Sequence, residues 1–270
     1  MDNFEWPRHT GDFSFLRAYK DGKPYKPAHW LKISTDGVSE GDLVIVAGYP
    51  GRTFRYKTAD EVRNYKEFVY PTSIHYYSEL IRILEAQGKG KRDVQILNAS
   101  RVKSLNNSLK NYQSVNEGFS KDRILEARLE RETKLRATIA GDPSLVSSKS
   151  VLDDIAKVNE PGRQTRERDA LLTWLLGTGT AYRGSPMLTQ AMEIARLAQE
   201  RPKKNVDRAS GFQDRDLSRI RDASERVQRV IDPGSDRAGL RYFLEETQKL
   251  SSAQRIKPID DAAAAAGGVE

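Results

Sequence analysis

Cysteine is absent from the 270 residues. That removes thiol nucleophiles, disulfides and cysteine-held metals from consideration, and it leaves the compartment open. Histidine is scarce, and His9, His29 and His75 stand neither in H-x-H nor in H-x-x-x-H spacing, so no zinc site is expected. No window approaches the ~18 consecutive apolar residues of a membrane span, and no leading stretch reads as a signal peptide. "GYPGRT" is glycine-containing but lacks the Lys-Ser/Thr that a phosphate loop needs. Neither metal nor cofactor is therefore expected. Apolar content is also low, at 37% with 31% charged residues, against the roughly 45–50% apolar usage of average globular chains on a slightly different residue set. This balance favours helices with wide solvated faces. The net charge is +7, yet "RILEARLERETKLR" and "RIRDASERVQRVID" interleave both signs at helical spacing instead of concentrating one. A nucleic-acid partner is not expected on that pattern.

What is present divides into a short β-rich piece and a long helical piece. "DFSFLRAY" alternates, "DGKP" at 21–24 signals a turn, and "LVIVAGYPG" at 43–51 reads as the strongest strand. Its run Leu43-Val44-Ile45-Val46 is apolar on both faces, which predicts a central strand. From about residue 60 the period becomes helical. Pro71 stands near a helix start, Gly88 near its stop, and Ile74, Tyr77, Leu80, Ile81 and Leu84 share one face. Further helices are predicted at about 101–118, 120–139, 144–158, 166–176, 186–200, 214–231 and 236–251. The predicted breaks are Gly141-Asp142-Pro143, Glu160-Pro161-Gly162, the 177–186 segment, Pro202 and Asp232-Pro233-Gly234. The fold class expected is α+β: the N-terminal part of a β-structure over 1–60, an all-α helical domain over 61–256 and a frayed, disordered tail over 257–270. Three or four strands in so short a piece cannot close a barrel or cover a central strand, so partner strands are expected from outside these residues.

Local patterns that carry chemistry are few. Asp12 follows Gly11 close to Arg8 and His9; an acid there can orient an imidazole, although beside glycine it reads first as a turn acid. "GSP" at 184–186 resembles the surroundings of a serine nucleophile, but Pro186 at a helix start makes Ser185 a helix cap.

The opening stretch "DNFEWPRHTGDFSFLRAY" closely resembles the D-N-W-x-W-P-R-H-T-G-D-F signature of the S46 family of bacterial dipeptidyl peptidases. The resemblance continues through "KPAHWLKIS", "GDLVIVAGYPGRTFRY", "YPTSIHYYSELI" and "SLNNSLKNYQSVNEGF", and more weakly at "GFQDRDLSRI". It implies a chymotrypsin-like double β-barrel with a large helical domain inserted between the triad acid and the triad serine. The first 60 residues would then be an incomplete part of that barrel. The implied activity is release of dipeptides from the free N-terminus of peptides through an acyl-enzyme.

Carried over residue by residue, the triad acid falls on Asp12, and Asn3, Phe4 and Arg8 match residues that line the site for the substrate's free amino end. Asn107 is the best match for an asparagine contributed by the helical domain, with Asn106 its close competitor. Amide oxygens can accept hydrogen bonds from an ammonium; Arg8 cannot, and more plausibly holds a neighbouring acid or carbonyl. Phe4 stands where the family usually has tryptophan, and the turn around Lys20–Tyr25 is shorter than in typical members. The residues matching the triad histidine and serine fall outside the chain, which is therefore expected to be an internal fragment, inactive alone. Its partners would be peptide substrates, the remaining N- and C-terminal parts of the enzyme and a second copy in a homodimer. A periplasmic or cell-surface location is implied for the complete enzyme. The alternative reading is a non-catalytic helical binding module.

Overall fold

The computed structural model describes residues 15–45, 56–177 and 184–268. The chain divides into two compact units, Met1–Lys57 and Thr58–Glu270.

In the first unit the "DGKP" turn closes a small hairpin. Strands β1 (Tyr19–Lys20) and β2 (Lys23–Pro24) pair antiparallel, Tyr19 opposite Pro24 and Lys20 opposite Lys23. Asp21 and Gly22 both take positive φ, 52° and 73°, the combination a two-residue turn needs to match the right-handed twist of its strands. The stronger strand expected from Leu43 onward does not form over the part described. Leu43, Val44 and Ile45 are irregular and exposed, and 46–55 lie outside the described residues. The reason is that a strand is completed only by a neighbour that takes its backbone hydrogen bonds, and no described segment offers one.

The second unit is a large helical domain. Helix α1 (Ala59–Asn64) starts at a reciprocal cap: the Glu61 amide donates to Thr58 Oγ1 at 3.2 Å, and the Thr58 amide donates to Glu61 Oε2 at 2.9 Å. A π turn at Tyr65–Val69 leads without interruption into α2 (Tyr70–Gly88). Pro71 has no N–H to give its helix, and the widened turn lies just ahead of it. A three-residue link then reverses the chain into α3 (Arg92–Lys121), ~45 Å long at 1.5 Å per residue. The two helices run antiparallel, as the pairs Tyr77–Tyr112 and Tyr70–Phe119 show, with ring centroids 5.5 Å apart in both.

Helices α4 (Ile124–Gly141), α5 (Val151–Gln164), α6 (Arg166–Leu176), α7 (Pro186–Glu200), α8 (Leu217–Val230), α9 (Pro233–Gln248) and α10 (Lys257–Ala265) follow. The Asp142 side chain caps the short 3-10 turn after α4, and Asp232 caps α9 by accepting from the Ser235 amide at 2.7 Å. The core forms where α2, α3, α6 and α9 meet. Tyr77, Leu80, Ile81 and Leu84 of α2 are buried there, as their helical spacing predicts, with Leu105, Leu171, Trp174, Leu175 and Phe243. Trp174 and Phe243 stack at 5.7 Å, and Tyr77 meets Trp174 edge-on at 4.8 Å. Fully burying each such side chain contributes about 1.5–3 kcal/mol.

One predicted break and the predicted tail are corrected. Pro161 lies inside α5 and does not end it. The last turn is gripped from outside: Arg163 pairs with Asp60 of α1 and with Glu160, and also donates to the Ala156 carbonyl. The tail expected to be disordered over 257–270 contains α10. Its start is fixed by Arg255, whose Nε and Nη2 donate to the two carboxylate oxygens of Asp260 at 3.0 and 2.7 Å, while Nη1 donates to the Gln248 carbonyl at 2.6 Å. Ile256 and Ile259 pack on the core. One bidentate arginine thus ties α10 to the end of α9.

Arg255→Ala removes that tie. Amide exchange over 257–265 is expected to accelerate at least ~10-fold, while α9 stays protected, since charge-assisted hydrogen bonds are worth about 1.5–3 kcal/mol. Unchanged exchange in α10 would show that its apolar contacts suffice.

Candidate functional site

The exposed face of α3 carries the one candidate site residue that the described structure contains. Asn98, Leu105, Leu109 and Tyr112 turn toward the core, which sends Lys103, Asn107 and Lys110 outward. Asn107 is exposed. Asn106 is half-buried, and its Nδ2 donates to the Val102 carbonyl one turn back at 3.1 Å. The two asparagines therefore differ in availability: the Asn106 amide is occupied within its own helix, whereas the exposed Asn107 side chain has no hydrogen-bond partner among the described residues. Asp12, Asn3, Phe4 and Arg8 lie outside the described residues.

Two turns before Asn107, the same helix enters a buried polar knot that sequence reasoning missed. Asn98 Nδ2 donates to the Leu84 carbonyl at 3.1 Å and to Ser235 Oγ at 2.8 Å. Arg101 Nη2 donates to the Gly184 carbonyl at 3.2 Å, and the Gly184 amide donates to the Trp174 carbonyl at 2.9 Å. Ser185, fully buried, accepts from the Leu188 amide at 3.0 Å and donates to Asp236 Oδ2 at 2.5 Å. Asp236 Oδ1 accepts from the Met187 amide at 3.2 Å. A carboxylate from the first turn of α9 thus sits on the first turn of α7, where the exposed amide dipoles favour a negative charge. Burial pulls the Arg101 guanidinium below its usual value, while the nearby Asp236 charge opposes that shift.

This geometry decides how the "GSP" tripeptide is used. Ser185 caps α7, as the Pro186 position predicts. Its hydroxyl faces a carboxylate and an amide, and among the described residues no imidazole is bonded to it; His75, on α2, instead meets the Tyr242 hydroxyl at 3.1 Å. Proline after a small residue signals the cap, but nothing local in the sequence signals Asp236 as its partner, fifty-one positions away. Among the described residues no three His, Asp or Glu side chains converge to hold a metal ion, and no helix is long and apolar enough to cross a membrane.

A model of the family described as Peptidase S46 matches residues 1–266. The chain belongs to family S46. An Asp/Glu-specific dipeptidyl-peptidase of Shewanella putrefaciens is 32% identical over 97% of this chain, which covers 36% of that protein. A dipeptidyl-peptidase 7 of Capnocytophaga gingivalis is 30% identical over 70% of this chain and 27% of its own length. An Asp/Glu-specific dipeptidyl-peptidase of Porphyromonas endodontalis is 30% identical over 63% of this chain and 25% of its own. The chain thus spans about a third or less of the S46 relatives it matches. The match runs through the opening motif and the α2–α3 hairpin to α10, so the polar knot and Asn107 lie within S46 sequence.

Removing one member of the knot strands the others in the interior. Asp236→Ala is expected to lower stability by about 2–3 kcal/mol, because it leaves the buried Ser185 hydroxyl and the Met187 amide without their acceptor. Ser185→Ala, which removes a cap, costs about 1–2 kcal/mol. Asp153→Ala on the exposed Arg136–Asp153 pair should change stability by less than about 1 kcal/mol. Urea unfolding monitored by circular dichroism gives the ranking, and equal losses at Asp236 and Asp153 would contradict it.

Proposed function

We propose that this chain forms part of a serine dipeptidyl peptidase that releases dipeptides from the free N-termini of peptides, and that it supplies the triad acid and a helical domain. The observation that carries the reading is the S46 match, which includes the whole of "DNFEWPRHTGD". In this proposal Asp12 accepts a hydrogen bond from the triad histidine, fixes its tautomer and stabilises the imidazolium formed as the serine attacks. The histidine and serine would come from polypeptide outside these 270 residues.

Asn3 and Asn107 take the substrate's α-ammonium. An exopeptidase that removes two residues must measure from that charge, and amide oxygens are suited to accept from it. The outward position of Asn107 and the internal hydrogen bond of Asn106 support Asn107 for this role. Phe4 supplies an apolar wall without an indole N–H, and Arg8 holds a neighbouring acceptor in place. The first 60 residues would add strands to a chymotrypsin-like barrel. The exposure of Phe15, Leu43 and Ile45 supports that reading, since side chains of this kind are normally covered. A periplasmic or cell-surface location belongs to the same proposal.

Two outcomes test it. The 270 residues expressed alone should turn over no dipeptidyl chromogenic substrate; turnover blocked by a serine-directed inhibitor would overturn the assignment. In an active S46 enzyme containing this sequence, Asp12→Asn should lower the acylation rate roughly 10⁴-fold, by analogy with trypsin-type triads, with little effect on substrate binding. Asn107→Ala should instead raise KM about 10-fold or more for substrates with a free amino terminus, and acetylating that terminus should add little to the loss. An unchanged rate in Asp12→Asn would mean the acid lies elsewhere.

A further inference from the structure

An open groove of about 430 Å³ lies between α9 and α10, remote in sequence from every residue assigned above. Its floor is Leu240 and Leu244 of α9 and Ile259 of α10, all three packed on the core beneath. Its far wall is Ala262, Ala263 and Ala266. The groove exists because α10 turns alanines toward it where larger side chains would fill the space. It is also held open: Arg255 fixes α10 against the end of α9 through Asp260 and Gln248.

The lining has a helical register. On α9 the positions are 237, 240, 241 and 244, and on α10 they are 258, 259, 262, 263 and 266. These are the i, i+3, i+4, i+7 and i, i+1, i+4, i+5, i+8 stripes by which two helices face a third. At 1.5 Å per residue each stripe is about 10–12 Å long, two to three helical turns. Small residues on one wall allow a guest backbone to come close.

Charge then narrows the occupant. Arg237 and Arg241, one turn apart on α9, form the rim, and they also line the neighbouring α2–α9 groove. Both are exposed, and among the described residues neither has an ion-pair or hydrogen-bond partner. On the neighbouring elements, by contrast, Arg82 of α2 pairs with Glu79 and Arg255 with Asp260.

We propose that the α9–α10 groove is a docking site for an amphipathic α-helix of a partner polypeptide, one that lays a short apolar stripe on Leu240, Leu244 and Ile259 and sets acidic side chains one turn apart against Arg237 and Arg241. Apolar contact provides the seat, and the paired guanidiniums fix the direction and register of the guest. The inference is independent of the peptidase reading, since none of these residues enters the proposed chemistry.

The test uses the full 270-residue chain and two fluorescein-labelled 15-residue helical peptides. Both carry leucine at i, i+3, i+4 and i+7; one has glutamates and the other lysines on the flank, one turn apart. Fluorescence anisotropy should show saturable binding of the glutamate peptide, weakening as salt rises. The lysine peptide should bind roughly 10-fold more weakly or not at all. Arg237→Glu with Arg241→Glu should invert that preference. Both positions are exposed, and circular dichroism checks that the helices persist. Filling the groove by Ala263→Trp should reduce binding of the glutamate peptide. Equal binding of the two peptides, indifference to the charge reversal, or self-association of the chain through this face instead of peptide capture would each overturn the proposal.

Discussion

Gly239 of α9 crosses the Gly184 backbone so closely that a methyl group on Gly239 would lie 2.6 Å from the Gly184 carbonyl oxygen, and the helical unit is organised around that crossing. A Cβ on Gly184 would in turn run into the Phe243 ring. Two glycines therefore allow α9 to rest directly on the start of α7, with Phe243 inserted beside Trp174 and Tyr76. Any side chain at either position would have to push rigid backbone or a stacked aromatic ring, and close-packed interiors yield little to such insertion.

So close a crossing traps backbone polar groups, and the knot around it satisfies them. Gly184 is held through its amide by Trp174 and through its carbonyl by Arg101; Ser185 and Met187 are held by Asp236. Arg101 and Asn98 bring α3 into the same knot. The consequence for function runs through α3. The helix that carries Asn107 on its outer face is fixed in rotation on its inner face by hydrogen bonds to three other segments. A rigid element of this kind holds a recognition side chain more closely than a loop would. The knot is thus a scaffold that fixes which residues α3 presents on its outer face, although its own serine and aspartate make a pattern that superficially resembles catalytic machinery.

The ends of the helical unit are organised by charge more than by packing. Arg163 ties α5 to α1, and Arg255 ties α10 to α9. In both places an arginine with several donors holds a segment that local preference alone leaves uncertain. Arg237 and Arg241 tie no described segments together and instead line the α9–α10 groove.

By itself the sequence determined whatever depends on neighbours a few positions away. The buried face of α2, the cap at Ser185, the break at Asp232-Pro233-Gly234, the turn at 21–24 and the S46 motifs were all legible, because periodicity, capping and turn geometry are local constraints. Residues distant along the chain decided the rest. Pro161 reads as a stop until Asp60 is brought to Arg163, and the alanine-rich end reads as frayed until Gln248 and Asp260 meet Arg255. Leu43–Ile45 read as a central strand, but a strand is completed by the backbone of another segment, and no described one is there to complete it. Asn106 and Asn107 are indistinguishable as letters; the rotation of α3, set by Asn98 and Arg101 on its opposite face, leaves one bonded within the helix and the other facing outward.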